Sequence, residues 1–295
     1  MKIMITGANG QLGTEIIRQL QTGGSALGPL PQRLHLATVI AVDLPDADLA
    51  SRHDTAVLLR RHAPDVVINC AAFTNVDACE TEPDTAYAAN ALAARNVAMA
   101  CEEVGAKLVH ISTDYVFSGN ATTPLNETAP TGPQSIYGAT KLLGEQYVKQ
   151  FNSKWFIVRT SWLYGQFGNN FVKTIVRAAR EKGSLKVVDD QFGNPTNAED
   201  LAHHILKLAA SKEYGLYHCT GNGICNWHAF AAEIVRLWGI EATVAPCTTQ
   251  EFPRPAKRPA FSALDNAMLR ATVGDEMRPW QEALADFYSK TKDNI

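Results

Sequence analysis

The stretch "KIMITGANGQLGTEIIRQL" runs from Lys2 to Leu20 and decides how the rest of the chain is read. "KIMIT" is a short run of strand-forming residues and "QLGTEIIRQL" reads as a helix. Gly7, Gly10 and Gly13 stand directly between them. The same alternation continues through the first half. "ATVIAVD" is a second strand, "DTAVLLRRH" a helix, "DVVIN" a third strand, "DTAYAANALAARNVAMACEEV" a long Ala-rich helix and "KLVHIST" a fourth strand. A helix beginning near Tyr137 and the strand "WFIVRTS" follow.

Continuous Val/Ile strands separated by helices imply a parallel sheet covered on both faces. Right-handed crossovers then give a doubly wound, Rossmann-type α/β fold. Beyond about residue 165 the pattern loosens. Helices are expected at "NNFVKTIVRAAREKG", "AEDLAHHILKLAA", "NWHAFAAEIVRLWG" and "RPWQEALADFYSK", with short strands at "LKVVDD", "YGLYHCT" and "EATVAP". The expected organisation is a dinucleotide-binding domain over residues 1–165 and a smaller α/β lobe over 166–295, interleaved with the first. "TTQEFPRPAKRPAFSALD" reads as a Pro-rich loop, and "TGGSALGPLPQRLH" (Thr22 to His35) as a surplus Gly/Pro-rich loop after the first helix.

The chain has 295 residues, 46% of them hydrophobic and 19% charged, with a formal charge of −3. That balance is an ordinary soluble globule without a global basic field, so nucleic acid is not the expected partner. Six scattered cysteines (Cys70, Cys79, Cys101, Cys219, Cys225 and Cys247) form no C-x-x-C pair, which argues against a disulfide framework or a cysteine zinc site. His203 and His204 are adjacent, and adjacent helical residues do not face one another; no metal ligand set is assigned. No window approaches the roughly 18 apolar residues of a membrane span, and the first ten residues do not read as a signal peptide. A reduced, cytoplasmic setting is expected.

Glycine between a first strand and a first helix lets backbone approach a pyrophosphate, while the helix N-terminus offers unpaired N–H groups. The spacing here is G-x-x-G-x-x-G, one residue from the commoner G-x-G-x-x-G, and a lone glycine motif is weak. It gains weight from Asp43, the acid ending the second strand, which is placed to accept the hydroxyls of an adenosine ribose. The expected cofactor is NADH or NADPH. An acid there disfavours a 2′-phosphate, so the expectation leans to NADH.

Tyr137 and Lys141 stand four apart in "SIYGATKLLGE" and would share one helix face. Y-x-x-x-K is common by chance. Here it follows "HISTDYVFSG", whose strand delivers Ser112, Thr113 and Asp114 to the carboxyl edge of the sheet, where such folds bind ligands. A hydride arriving at a ketone builds negative charge on oxygen, which must be stabilised and protonated. A phenol is a poor acid unless a cation stabilises its anion. Tyr137 as proton donor, Lys141 as the tuning cation and Thr113 as a hydrogen-bond donor to the carbonyl make a carbonyl-reducing site.

"TGANGQLG", "NCAAFTNVDACE", "YAANALAARNVA", "HISTDYVFSG" and "YGATKLLGE" resemble the extended short-chain dehydrogenase/reductases. More narrowly, "STDYVFSG", "RTSWLYG", "NNFVKT", "DDQFGNPT" and "RPAFSALD" resemble the dTDP-4-dehydrorhamnose reductase family, nearly end to end. The resemblance implies reduction of the C4 ketone of a dTDP-6-deoxy-L-hexulose to dTDP-L-rhamnose. Under it, Gly10, Gln11 and Leu12 line the pyrophosphate, Asp43 the ribose, and Asp48 and Leu49 the adenine. Ala71, Ala72, Phe73 and Thr74 flank the nicotinamide half, and Asn90 supports the cofactor-side strand. Thr74, Val76, Thr113, Asp114 and Trp162 meet the sugar, with Trp162 stacking on it, and Arg258 meets the diphosphate. Reduction of another dTDP-4-keto-6-deoxysugar stays open, as does a catalytically silent nucleotide-binding subunit and pairing into a homodimer. Departures from the family pattern are Thr140 in place of Ser, Cys79, Ser118 and the surplus segment, whose effect on the cofactor entrance or on oligomer contacts is open.

Overall fold

In a computed structural model describing residues 1–295, strand β1 (Lys2–Thr6) shows why the first half folds as it does. Ile3 and Ile5 enter one hydrophobic core and Met4 the other, the period of two that a strand buried on both faces requires. The same alternation holds in β3 (Val66–Asn69), β4 (Lys107–Thr113) and β5 (Trp155–Thr160). With β2 (Thr38–Val42) and β6 (Gly215–His218) they form a six-stranded, wholly parallel sheet in the order β6-β5-β4-β3-β1-β2. The chain reverses its direction of travel across the sheet between β1 and β3, and that switch point opens a crevice beyond the carboxyl ends of the strands.

Helices α1 (Gln11–Thr22) and α6 (Ala198–Ala210) cover one face, packing Leu12, Ile16, Leu201 and Ile205 on Ile3, Ile5 and Val158. Helices α2 (Arg52–His62), α3 (Ala93–Val104) and α4 (Ile136–Phe151) cover the other, with Leu59, Val97, Ala98 and Val148 on Met4, Val67 and Ile157. A third core gathers α5 (Phe171–Lys182), α7 (Trp227–Leu237) and α8 (Trp280–Thr291) around Tyr164, Phe230 and Phe287. A two-stranded parallel pair, Ser184–Val188 with Thr243–Cys247, lies beside it. Helix α6 and strand β6 come after residue 165 yet belong to the central sheet layers.

Two elements differ from the sequence expectation. The Ala-rich stretch is not one uniform α-helix: Pro83–Tyr87 is α-helical, Ala88–Leu92 is a π turn, and α3 follows. Alanine favours helix without selecting between i→i−4 and i→i−5 bonding. The surplus segment is not an open loop. Gly24–Ser25 pairs antiparallel with Gly28–Pro29, and a 3₁₀ turn follows at Gln32–Leu34. Leu30 and Leu34 are buried in the core under α1. The Ser25 hydroxyl meets Nδ1 of His203 at 2.9 Å, and the Ala26 N–H donates to Glu199 at 3.0 Å. The segment is therefore a brace between α1 and α6.

Burial separates a leucine of that brace from one just past its end: Leu34 is 0% exposed and Leu36 is 92% exposed. Leu34→Ala should cost about 2–5 kcal/mol in urea unfolding, by lost burial and an unfilled cavity. Leu36→Ala should change stability by less than about 0.5 kcal/mol. Equal effects would show that the brace does not pack as described.

Candidate active site

The crevice at the switch point is a cavity of about 1150 Å³. Its floor begins at the glycine turn. Gly7 has φ +66°, and a Cβ there would lie 2.7 Å from the Ala71 nitrogen; only glycine adopts that conformation at such a separation without strain. A Cβ at Gly13 would lie 2.3 Å from the Gly7 carbonyl oxygen. Helices α2, α4, α5, α6 and α7 each start on a Ser or Asn whose side chain accepts from the first turn. Helix α1 starts on Gly10 with no side-chain cap, so its first N–H groups are left for an anion. Those are the requirements of a pyrophosphate cradle.

Asp43 directly follows β2, beside this turn. Its carboxylate accepts from the Asn9 N–H at 2.8 Å and the Leu44 N–H at 2.9 Å. Asp48, Leu49 and Ala50 continue the wall, as do Ala71, Ala72, Phe73, Thr74 and Val76 on the next loop. Asn90, which is fully buried, lies behind that loop and outside the cavity wall. It accepts from the Phe73 N–H at 2.9 Å and donates to the Phe73 carbonyl at 3.1 Å, pinning one residue at both ends. Thr140 ties this pin to α4. It accepts from Asn90 at 3.3 Å and donates to the Ile136 carbonyl at 2.8 Å, so the departure from Ser keeps the hydroxyl in use.

The opposite wall is built by β4 and α4. Ser135 caps α4 by accepting from the Gly138 N–H at 3.1 Å, which sets Tyr137 and Lys141 one turn apart on the cavity side. Lys141 is 3% exposed and donates to the Ile111 carbonyl of β4 at 2.6 Å. Burial lowers its ammonium to about 8, opposed by the charge of Glu145. Burial raises the Tyr137 phenol above its ordinary value, and the Thr113 hydroxyl opposes that rise. Thr113 itself donates to Asp114 at 3.0 Å and accepts from the Tyr115 N–H at 3.2 Å. Asp114 is buried, accepts from the Ser262 hydroxyl at 2.6 Å, and has its carboxyl lifted to about 6 by burial.

Every candidate residue named from the sequence lines this cavity except Asn90 and Arg258. Arg258 is held outside it by Asp77 at 2.9 Å, one residue beyond the lining Val76. Trp162 lines the cavity from an unusual backbone position, φ +46°. One of its indole faces is occupied by Trp227, with centroids 3.6 Å apart and planes 10° from parallel. That face is closed to a sugar, and Gly193 lies so close to the indole that a Cβ there would fall 2.7 Å from Cε2, so the stacking reading of Trp162 is left with the part of the ring that neither neighbour covers. Trp227, Gly168 and Asn169 also line the cavity and were not found from the sequence. The one available signal was "NNF", whose Asn170 bridges Gln11 at 2.9 Å and the Gly165 carbonyl at 2.8 Å. The Gln11 side chain is thus engaged with that loop. Lys141 is the sole lysine or arginine lining the cavity.

Because the Lys141 ammonium is lost as pH rises through about 8, affinity for a nicotinamide dinucleotide should weaken above that pH. Lys141→Met should weaken binding at neutral pH and flatten its alkaline fall. Calorimetric titrations across the alkaline range read both, and an alkaline fall unchanged in the variant would remove Lys141 from the binding site.

The family profile described as RmlD substrate binding domain matches residues 1–292. The spore coat polysaccharide biosynthesis protein SpsK of Bacillus subtilis is 40% identical, covering 97% of this chain and 96% of its own. The crystal structure of a dTDP-4-dehydrorhamnose reductase from Clostridium acetobutylicum superimposes with a TM-score of 0.93 at 50% identity, covering 98% of this chain and 99% of that one. The dTDP-4-dehydrorhamnose reductase of Bacillus anthracis, solved in complex with NADP, gives 0.92 at 41% identity, with coverage of 98% and 99%. With near end-to-end matches of this kind, the chain belongs to the RmlD family, among the dTDP-4-dehydrorhamnose reductases.

Proposed function

We infer that this protein reduces the C4 ketone of dTDP-4-dehydro-6-deoxy-L-mannose to dTDP-L-rhamnose with a reduced nicotinamide cofactor, in the supply of cell-surface polysaccharide precursors. The observation that carries this reading is the shared cavity. The open N-terminus of α1 and Asp43 stand on one side, and Thr113, Tyr137 and Lys141 on the other. The names of the relatives support the same reaction.

When bound, a dihydronicotinamide would supply the hydride for the ketone carbon; the protein's own residues manage the charge that appears on oxygen. Tyr137 gives its phenolic proton to that oxygen, and Thr113 holds the carbonyl against it. In this reading Lys141, charged at neutral pH, holds the nicotinamide ribose and stabilises the phenolate. In this structure its ammonium donates to the Ile111 carbonyl, and burial and the Thr113 hydroxyl are the leading influences on the Tyr137 phenol. Gly7, Gly10, Gln11, Leu12 and Gly13 cradle the pyrophosphate by backbone, with Asp48 and Leu49 at the adenine. Ala71, Ala72, Phe73 and Thr74 flank the nicotinamide, and Asn90 acts through Phe73. Thr74, Val76, Asp114 and Trp162 shape the sugar end. Arg258 would reach the diphosphate only on leaving Asp77, to which it is paired in this structure. In this reading residues 1–165 bind the cofactor, and 166–295 chiefly hold the sugar nucleotide while lending α6 and β6 to the sheet.

The cofactor preference in this reading is NADH. Both Asp43 oxygens are fixed by backbone N–H donors, and a fixed carboxylate repels a 2′-phosphate. The Bacillus anthracis relative was solved with NADP, so the preference is a matter of degree. Efficiency with NADH should exceed that with NADPH by about tenfold, and Asp43→Asn should narrow the gap by removing the like charge. A preference for NADPH in the unaltered protein would overturn this assignment.

The deciding assay mixes the protein with the 4-keto sugar nucleotide and each reduced nicotinamide, following cofactor absorbance and identifying product by NMR. Oxidation with formation of dTDP-L-rhamnose is expected. Cofactor binding without oxidation would favour another ketosugar or a silent binding role. Tyr137→Phe keeps the ring and deletes the proton; it should lower kcat by about 10²–10⁴ and leave the cofactor Kd within about twofold. Near-normal turnover would remove Tyr137 as the acid.

A further inference from the structure

A hydroxyl has one proton to give, and the Thr113 hydroxyl gives its proton to Oδ1 of Asp114 at 3.0 Å. It also accepts from the Tyr115 N–H at 3.2 Å. While Asp114 is ionised, Thr113 is therefore a donor to Asp114, and what it has left to offer is a lone pair on the side of the Tyr137 phenol. A ketone oxygen needs a donor. Thr113 becomes one when Asp114 carries a proton and can itself donate to the Thr113 oxygen.

Asp114 is built into this role from outside the sheet. Its carboxyl is 2% exposed and makes no ion pair. The only side chains bonded to it are Thr113 and, through Oδ2 at 2.6 Å, Ser262. Ser262 is 148 residues away in sequence and 1% exposed. Its segment is clamped from two sides. The Ser262 N–H donates to the Phe192 carbonyl at 2.9 Å, and the Phe261 N–H donates to the Gly119 carbonyl at 3.0 Å. Nothing in the reaction derived above uses the Ser262 hydroxyl.

We propose that Ser262 is a positioning residue: by gripping Oδ2 it fixes the Asp114 carboxyl, whose protonation decides whether Thr113 gives its proton to Asp114 or to the bound ketone. The titratable groups facing Asp114 are the phenols of Tyr115 and Tyr137, both neutral through the acid and neutral range. Beyond Tyr115 lie Arg258 and Asp77, paired with each other. Burial already lifts Asp114 to about 6, and the Ser262 and Thr113 hydroxyls oppose that rise.

This inference rests on the ketone reduction proposed above. Its test is the pH profile of kcat for the full-length protein, Ser262→Ala and Ser262→Thr, paired with NMR titration of carbon-13-labelled aspartate carboxyls without substrate. In the unaltered protein kcat should fall as Asp114 ionises, at lower pH than any loss from Lys141. Ser262→Ala removes a donor to the carboxylate, so the Asp114 midpoint and the fall in kcat should both move to higher pH, by roughly one pH unit. KM for the sugar nucleotide should stay within about twofold, and Ser262→Thr should restore the original profile. Should Ser262→Ala not fold, Asp114→Asn keeps the shape of the side chain and should abolish the fall. A profile without that fall, or one that Ser262→Ala leaves in place, overturns the proposal. The carboxyl titration needs no turnover, so failure of the reaction itself shows separately as unaltered protein that leaves the cofactor unoxidised.

Discussion

The geometry of the cavity depends on one buried ion pair. Glu145 receives Arg159 through two bonds, 2.8 and 2.7 Å, and both side chains are 2% exposed or less. The same carboxylate accepts from Ser112 at 2.6 Å. Glu145 is one turn past Lys141 on α4, Ser112 is the residue before Thr113 on β4, and Arg159 is on β5. A single carboxylate thus bonds the helix of Tyr137 and Lys141 to the strands that carry Thr113 and Arg159. Pairs so deeply buried gain little net stability, yet removing one partner commonly costs about 3–5 kcal/mol because the other is left uncompensated. The value of this pair is positional: it fixes the helix that carries Tyr137 and Lys141 against the strand that carries Thr113.

A second set of contacts joins the two halves of the chain at the cavity rim. Asn170 bridges Gln11 in the glycine turn to the loop before α5. The Ser161 hydroxyl, on the cavity wall, donates to the Asn194 carbonyl at 2.8 Å. Asp77 holds both Arg258 and the Ala256 N–H. These polar ties reach across long sequence separations, and each fixes backbone as well as side chain. The cavity is accordingly a property of the whole chain, although one half supplies the sheet.

Much of this was legible in the sequence. The β-α alternation, the glycine turn, Asp43 and the Tyr137–Lys141 face are local patterns, and local patterns follow directly from periodicity and turn chemistry. The structure brings those residues to one crevice because a parallel sheet delivers every strand end to the same edge. The unread parts are non-local. The Thr22–His35 segment has the composition of a loop, and its fold depends on α6 offering Glu199 and His203 from far along the chain. Trp227 covers a face of Trp162 from 65 residues further along the sequence, with no spacing rule to announce it. Ser262 is an ordinary serine in a Pro-rich stretch until Asp114 is placed beside it. The π turn at Ala88–Leu92 escaped because alanine suits either winding.

The scarcity of cations in the cavity has a consequence for how the nucleotide arrives. With Lys141 as the one basic side chain on its wall and a formal charge of −3 overall, the protein sets up little attraction for anions at a distance. Phosphate charge would be met only on contact, by backbone dipoles at the start of α1. Fields of that kind act at short range inside a low-dielectric site, where dissolved ions screen them weakly. Binding strength would then depend little on ionic strength, and capture would rely on collision and fit, with little long-range steering.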